Sequence, residues 1–249
     1  SLHDALPISA TDFGEDQYFA TLHRTLHMDE IVTKHSAIMD KYDPEKKVGL
    51  IIDEWGVWTD AEPGTNPGFL YQQNSLRDAL VAALNFNIFQ KHADRVAMTN
   101  IAQMINVLQA MILTDNEKMV LTPTYHVFEM YKVHQGATSL PVALTSPDYV
   151  VGSEKIPAVS ASASRDSAGK IHLSLVNTKP TDAITVSCQL AGATSKTITG
   201  RILTAPAINS VNTFASPHVV EPKSFNDAKL NGDKLTVTPP AKSIVVLEL

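Results

Sequence analysis

The spacing of apolar residues changes along the chain and divides it into two parts. From about residue 16 to residue 134, apolar residues recur at helical spacing or in short unbroken runs. From about residue 140 onward, apolar and polar residues alternate in short segments that turn-forming residues separate. The first pattern predicts helices and buried strands, and the second predicts an antiparallel β-sandwich.

The first helical stretch contains a change of apolar face. Phe19, Leu22 and Leu26 lie on one helical face, and the five-residue step to Ile31 does not continue it. The pattern therefore predicts two helices that meet near residues 28–29, with Asp29 as the N-cap of the second. His35 lies on the apolar face of this second helix, and we expect it to be packed in the core.

The remainder of the first part alternates between strands and helices. The pattern predicts a buried strand at 48–52, a long loop at 59–70, a helix at 71–90, a strand at 95–100, and helices at 101–113 and 123–134. This order suggests parallel strands joined by crossover helices. Two strands are too few for a complete (β/α)8 barrel, which needs about 250 residues by itself.

Composition excludes some classes of protein. The chain has 249 residues and a net charge of -6, with no clustered Lys/Arg stripe, which argues against nucleic acid as a partner. No apolar run reaches the roughly 20 residues that span a bilayer, so no membrane partner is expected. The single cysteine, Cys188, excludes an intrachain disulfide and leaves the compartment undecided. Ile184, Val186 and Leu190 lie on the same side of its strand, so we expect Cys188 to be a core residue.

Residues 48–58 contain the strongest chemical signal. The apolar run ends in Asp53 and Glu54, and Trp55 and Trp58 follow immediately. Parallel strands of α/β barrels present catalytic carboxylates at their C-terminal ends, and aromatic rings pack against the C–H faces of sugars. Glu54 is therefore either a catalytic carboxylate for glycoside chemistry or a structural acid that caps the following loop or pairs with an arginine. Asp53 points to the opposite side of the strand, so both acids cannot serve one site directly.

Other polar residues are weaker candidates. Trp58 could stack on a ligand or fill the loop core, and Gln103 could reach a site or lie on a helix surface. His23 and His27 have the spacing of two metal ligands on a helix, but no third ligand is near, so we expect a solvated face. No phosphate-binding loop, nucleophile elbow or zinc cysteine cluster is present. No metal and no cofactor are therefore expected.

Residues 53–58 resemble glycoside hydrolase family 51, the α-L-arabinofuranosidases. Further similar stretches run from about residue 12 to the end of the chain, at residues 42–48, 100–109, 200–203, 212–214 and 240–243. The resemblance implies a (β/α)8 barrel followed by a β-sandwich, an α/β plus all-β fold. It assigns residues 1–138 to the C-terminal portion of the barrel and residues 139–249 to the sandwich, while residues 4–9 depart from the family pattern.

The resemblance also implies roles for individual residues. Glu54 corresponds to the nucleophile at the end of barrel strand seven, Trp58 and Gln103 to positions that line the arabinose subsite, and Asp53 and Trp55 to supporting residues. Ser1-Leu2-His3 resembles a Ser-x-His-x-Tyr element at the end of strand six. This makes His3 a substrate-binding candidate, although Ala5 stands at the tyrosine position.

The second carboxyl group of the mechanism has no clear counterpart in the chain. The family's acid/base glutamate follows an asparagine on strand four, whereas the one Asn-Glu pair here, Asn116-Glu117, falls in the connection between the helices predicted at 101–113 and 123–134. The N-terminus therefore looks truncated, and we expect the chain alone to be inactive.

The function implied for the intact parent is a retaining α-L-arabinofuranosidase. It would release terminal arabinofuranosyl units from hemicellulose or pectin side chains, so its partner is an arabinose-containing poly- or oligosaccharide. An endo-acting β-glucanase or xylanase of the same family and a non-catalytic carbohydrate-binding module are the alternatives. Family members are often oligomers, which leaves a homo-oligomer open by analogy.

Overall fold

The computed structural model describes residues 8–108, 110–191 and 197–249. The helices are α1 (Glu15–Tyr42), α2 (Leu76–Lys91) and α3 (Pro123–Tyr131), with 3-10 turns at Pro67–Phe69 and Lys132–His134. The strands of the first part are β1 (Leu50–Trp55), β2 (Val96–Ile101), β3 (Ile112–Asp115) and β4 (Lys118–Leu121). Those of the second part are β5 (Thr138–Leu140), β6 (Asp148–Val151), β7 (Glu154–Pro157), β8 (Val159–Arg165), β9 (Ile171–Asn177), β10 (Val186–Gln189), β11 (Thr199–Leu203), β12 (Lys223–Ser224), β13 (Ala228–Asn231), β14 (Lys234–Val237) and β15 (Ser243–Glu248).

The first part contains one parallel strand pair, as the sequence predicts. β1 and β2 pair in parallel, and α2 is the crossover between them. Leu50, Ile52 and Val96 pack against the main core, whereas Ile51 and Met98 are each 49% exposed. The prediction of a buried strand is therefore correct for one face of the β1–β2 pair only. The described residues leave the other face exposed.

The helix α1 is continuous, so the prediction of two helices that meet at residues 28–29 is wrong. Its buried stripe continues through Thr21, Thr25 and Met28. The two threonines donate their hydroxyl groups to carbonyl oxygens one turn earlier, on Gln17 and Thr21, which lets polar residues occupy a buried face. Asp29 is not an N-cap, because its carboxylate instead contacts side chains at the end of α2.

The second half of α1 is largely uncovered, and the expectation that His35 lies in the core is wrong. His35 is exposed, as are Ile38 at 54% and Tyr42 at 87%. Within the described ranges no element covers this face, although Val32 is buried. None of the helices in these ranges has the length and apolar character needed to cross a membrane.

The helix predicted at 101–113 is absent, and the chain instead runs irregularly into the β3–β4 hairpin. Asn106 and Leu108 have φ angles of 59° and 50°, which an α-helix cannot contain. The Leu108 N–H donates to the Leu70 carbonyl at 3.0 Å, which ties this segment to the loop after β1. Of the apolar residues in this irregular segment, Leu108 and Ala110 are buried, whereas Met104 and Ile105 are 60% and 48% exposed.

The second part is an antiparallel sandwich, which confirms the predicted fold class. A six-stranded sheet has the order β12-β11-β15-β9-β8-β5, and a three-stranded sheet has the order β10-β14-β13. Leu175 and Val245 of the larger sheet share one core with Leu235 and Val237 of the smaller sheet. Cys188 is half-buried against this core, in agreement with the prediction. The domain boundary at residues 138 and 139 stays a prediction.

The outer face of the larger sheet is covered by α2 and the α3 segment through a buried polar network. Asn87 accepts hydrogen bonds from Tyr131 at 3.0 Å and from Ser162 at 2.7 Å. The His134 ring lies 2.7 Å from the hydroxyl groups of both Ser164 and Ser174. Hydrogen-bonded polar groups therefore line part of the contact between the two parts, beside an apolar core that includes Val176, Ile244 and Val246.

This network makes stability depend on pH. Burial, and to a smaller extent nearby His172, lowers the pKa of His134 from 6.5 to about 4. Between these two values the unfolded chain binds a proton that the folded chain does not, so stability decreases as pH falls through this window. We expect a loss of up to about 3 kcal/mol from pH 7 to pH 4 that His134→Gln removes, measured by urea unfolding. An equal loss in the variant would contradict this assignment.

A second prediction concerns the close approach of β1 and β2. A Cβ atom added at Gly49 would lie 2.6 Å from the Cβ of Ala97. We expect Gly49→Ala to destabilise the protein by about 1–3 kcal/mol, because neither backbone can move freely. The double variant Gly49→Ala/Ala97→Gly removes the clash and should recover part of this loss. Equal stability of the single variant and the wild type in chemical denaturation would refute the prediction.

Candidate functional site

A β-bulge places the two candidate carboxylates at the end of β1. Ile52 pairs with Thr99 and Trp55 pairs with Ile101, so three residue steps on β1 oppose two on β2. The extra residue breaks the strict alternation of side chains, and Asp53 and Glu54 are both exposed. Bulges commonly re-aim side chains beside active sites, and this one presents Glu54 at the carboxyl end of a parallel strand.

Trp55 lies behind the carboxylates, in the core. It is 2% exposed, stacks on Phe128 at 6.1 Å, and meets Phe86 and Phe89 edge-on at 5.6 and 5.5 Å. Its backbone carbonyl accepts a hydrogen bond from the Ala102 N–H at 2.9 Å, which joins the ends of the two strands. Trp55 therefore anchors the strand end that carries Glu54, and its indole does not face the exposed side.

Gln103 lies at the same edge of the sheet as Glu54. The strand ends are joined by the hydrogen bond from the Ala102 N–H to the Trp55 carbonyl. Gln103 is the residue after Ala102, and Glu54 is the residue before Trp55. The Gln103 side chain is exposed. Because this segment is not helical, the alternative of a helix-surface residue no longer applies.

Trp58 lies in the loop after β1, between two buried residues. Val57 and Thr59 are 9% and 4% exposed, and Trp58 itself is half-buried. The side chain of Gln72 contacts both neighbours: its oxygen accepts from the Thr59 N–H at 2.9 Å, and its nitrogen donates to the Val57 carbonyl at 3.0 Å. The start of the loop is therefore fixed by a residue 13 positions further along the chain.

The far end of this loop is tied to the sandwich. Glu62 accepts from the Gln73 N–H at 3.1 Å, and the Gln73 side chain donates to the Asn212 carbonyl at 2.9 Å. Asn212 is fully buried and donates to the carbonyls of Leu121 and Val220. In the sequence, Asn212 was indicated by the similarity of residues 212–214, Asn-Thr-Phe, to family 51. Gln72 and Gln73 were missed because they fell inside a predicted helix.

An apolar cleft of about 660 Å³ opens between this loop, the segment after β2 and the β3–β4 hairpin. Its walls contain the exposed ring of Phe69 and the part-exposed ring of Phe214. Two of its walls follow the carboxyl ends of β1 and β2, and such ends of parallel strands lie at one edge of a sheet. None of Glu54, Trp58 and Gln103 is among the described residues that line this cleft.

Other candidates lie elsewhere. His3 lies outside the described residues. Asn116-Glu117 lies in a connection, as predicted, but this connection is the turn of the β3–β4 hairpin and not a link between two helices. His23 and His27 are exposed and lie near Glu154 and Glu30, as expected of a solvated face. In the part of the chain that the structure describes, no group of three or more His, Cys, Asp or Glu residues could hold a metal ion.

Comparisons with known proteins agree with this arrangement. The family model of the α-L-arabinofuranosidase C-terminal domain matches residues 53–243. An intracellular exo-α-L-arabinofuranosidase of Bacteroides ovatus is 49% identical over 242 residues, which cover 97% of this chain and 47% of that protein. An intracellular exo-α-(1→5)-L-arabinofuranosidase of Streptomyces lividans is 26% identical over 77% of this chain and 31% of that protein. The chain thus spans half or less of the length of these relatives.

Solved structures give the same result. The crystal structure of the glycoside hydrolase family 51 arabinofuranosidase from Xanthomonas axonopodis pv. citri matches 97% of this chain and 49% of that chain, with a TM-score of 0.95 and 57% identity. The α-L-arabinofuranosidase from Thermotoga maritima, solved with arabinose, matches 95% of this chain and 50% of that chain, with a TM-score of 0.81 and 26% identity.

A parallel strand pair with a helical crossover and a carboxylate at one strand end, joined to an antiparallel sandwich, is the arrangement expected of the last part of a barrel glycoside hydrolase and its sandwich domain. Within this class, the chain belongs to the α-L-arabinofuranosidases of glycoside hydrolase family 51, and it corresponds to their C-terminal region.

Proposed function

We propose that this chain carries the nucleophile of a retaining α-L-arabinofuranosidase, with Glu54 as that nucleophile. The observation that carries the proposal is the exposed Glu54 at the bulged carboxyl end of β1, followed by Trp58 in a fixed loop. Trp58 and Gln103 would contact the sugar, while Asp53 and Trp55 would support the geometry of the strand end. The sequence similarity to proteins named exo-α-L-arabinofuranosidases supports this choice of substrate.

The proposed reaction proceeds in two steps. A carboxylate oxygen of Glu54 attacks the anomeric carbon of a terminal arabinofuranosyl unit, and the bond to the leaving oxygen breaks as a second carboxyl group protonates that oxygen. Water then hydrolyses the glycosyl ester and releases arabinose with retained configuration. The substrates would be arabinose-containing side chains of hemicellulose or pectin.

Retention requires the two carboxyl groups to lie about 5–5.5 Å apart across the substrate. Within the described ranges the parallel sheet has two strands, and neither carries an Asn-Glu pair. We therefore assign the acid/base to a further strand of a complete barrel. The same strands would cover Ile51 and Met98, which are exposed here.

This assignment predicts that the 249-residue chain by itself does not hydrolyse arabinofuranosides. Without a general acid, expulsion of the leaving group loses roughly 10²–10⁴-fold in rate, and an incomplete site also loses substrate positioning. Release of arabinose from an arabinose-containing oligosaccharide, whose sugar leaving group needs a general acid, measures this in the purified chain. The positive control is an enzyme that contains this chain and a complete barrel. Turnover by the chain alone would contradict the assignment.

The two alternatives have less support. The first alternative is an endo-acting β-glucanase or xylanase, whereas the two relatives above are named exo-α-L-arabinofuranosidases. The products formed from arabinan and xylan distinguish an endo-acting from an exo-acting enzyme. A carbohydrate-binding module on the sandwich needs a platform of exposed aromatic rings. Tyr149 and Phe225 are 4% and 7% exposed, which leaves Phe214, at 36%, as a single exposed ring among these three. A homo-oligomer stays a prediction.

A further inference from the structure

We infer that Gln72 is a positioning residue, which holds the loop backbone on both sides of Trp58 and thereby fixes the indole at the candidate sugar site. This inference rests on the proposed function in its assignment of Trp58 to the sugar. Gln72 is neither one of the two candidate acids nor one of the two tryptophans. It lies at the far end of the loop that follows β1.

The geometry of Gln72 is specific to the two neighbours of Trp58. Its Oε1 accepts from the Thr59 N–H at 2.9 Å, and its Nε2 donates to the Val57 carbonyl at 3.0 Å. The residue is 1% exposed, so water does not compete for either group. The planar amide of Gln72 thus pairs with the Thr59 N–H and the Val57 carbonyl, which face the same way. A neighbouring β-strand would make the same two hydrogen bonds.

The Val57 and Thr59 groups need such a partner. Buried backbone N–H and C=O groups are almost always hydrogen-bonded, and among the residues that the structure describes no strand pairs with residues 57–59. Loops are ordinarily more mobile than the elements they connect, and loops that carry functional residues are commonly positioned by a rigid scaffold. The Gln72 amide supplies both hydrogen bonds and leaves the Trp58 side chain between them.

Gln72 is itself held by its neighbours in sequence. The Gln73 amide donates to the Asn212 carbonyl at 2.9 Å, and the Asn74 amide donates to the Ala110 carbonyl at 2.8 Å and the Thr124 hydroxyl at 3.0 Å. Ser75 then begins α2 with a capping box. Three consecutive buried amides therefore connect the Trp58 loop, the sandwich and the start of α3, so the sandwich helps to orient the site.

A purely structural role and a positioning role differ in what happens at Trp58. If Gln72 only stabilises the fold, its replacement lowers stability and leaves the indole as it was. If Gln72 positions Trp58, its replacement changes the environment and motion of that indole while the core stays intact. The chain contains two tryptophans, and Trp55 in the aromatic core serves as an internal reference.

The experiment follows the two indole N–H signals of the ¹⁵N-labelled chain by NMR. In Gln72→Met, which keeps the length of the side chain and removes both hydrogen bonds, we expect the Trp58 signal to shift. Its order parameter should fall from about 0.85 to below about 0.6, with the Trp55 signal unchanged. The matched control is Asn85→Leu, because Asn85 is a buried amide that donates to the Val81 carbonyl inside α2. It should leave the Trp58 signal in place.

A second variant decides the question if Gln72→Met does not fold. In Gln72→Glu the protonated carboxyl group can replace both hydrogen bonds of the amide, whereas the carboxylate repels the Val57 carbonyl. The Trp58 signal should therefore resemble wild type at low pH and become mobile as the carboxyl group ionises. A Trp58 signal that is unchanged in folded Gln72→Met, or independent of pH in Gln72→Glu, would overturn the inference.

Kinetics separate this inference from the proposed function. In an enzyme that contains this chain and a complete barrel, Gln72→Met should raise KM for an aryl arabinofuranoside about 10-fold or more. If Trp58 becomes mobile but the kinetics do not change, the positioning by Gln72 stands and the assignment of Trp58 to the sugar fails.

Discussion

Replacement of Glu54 by alanine is expected to lower kcat/KM roughly 10⁴-fold or more, about 5 kcal/mol, in an enzyme that contains this chain and a complete barrel. The loss is large because no covalent intermediate can form without the carboxylate. Glu54 is exposed at the surface of the described structure, so the substitution opens no cavity in the core and the fold should persist. Hydrolysis of 4-nitrophenyl α-L-arabinofuranoside, with circular dichroism as the folding check, measures the effect.

Two controls separate a nucleophile from a structural acid. Asp53→Asn alters an exposed carboxylate one residue earlier and should cost less than about 100-fold. Added azide should restore turnover of Glu54→Ala and give a glycosyl azide of inverted configuration, because the small anion enters the space that the carboxylate leaves. Turnover of Glu54→Ala near the wild-type level would show that another group attacks the sugar.

Arg77→Met is expected to destabilise the folded chain by about 3–5 kcal/mol. Arg77 and Asp78 are 0% and 1% exposed, and the guanidinium donates to the Asp78 carboxylate at 3.0 and 3.1 Å. The guanidinium also lies 4.1 Å from the centre of the Phe13 ring. Removal of this cation leaves a buried carboxylate without its counter-charge at the start of α2, which is the origin of the large cost.

The matched control is another arginine ion pair at the surface. Arg201 donates to Glu129 at 2.6 Å, but its side chain is 47% exposed. Arg201→Met should therefore cost less than about 1 kcal/mol, since solvent already screens the pair. Guanidinium unfolding followed by tryptophan fluorescence measures both variants. Equal losses in the two variants would contradict the distinction between buried and exposed pairs.

The sequence predicted elements whose hydrophobic pattern matches their burial. The alternating segments of the second part became sandwich strands, and the apolar run that ends at Glu54 became one of two parallel strands. The helix predicted at residues 101–113 was wrong, because the spacing of apolar residues carries no information about the positive φ angles at Asn106 and Leu108. The continuity of α1 was hidden because Thr21 and Thr25 counted as polar, although their hydroxyl groups bond to the helix backbone.

The candidate site was only partly predictable for a similar reason. Glu54 and Gln103 could be found because they follow strand ends or match a family element, and the structure brings those strand ends together. The bulge at residues 52–55 and the role of Gln72 depend on contacts between distant residues, which local patterns do not encode. A run of three amides directly before a Ser-x-x-Asp capping box was the available signal for Gln72.

Mass spectrometry of a trapped intermediate tests the central claim most directly. The probe is an arabinofuranoside with a good leaving group and an electron-withdrawing substituent at C2, which slows hydrolysis of the glycosyl ester. Incubation with an enzyme that contains this chain and a complete barrel, followed by peptide mapping, should locate the pentosyl adduct on Glu54. An adduct on Asp53 or on any other carboxylate would contradict the account.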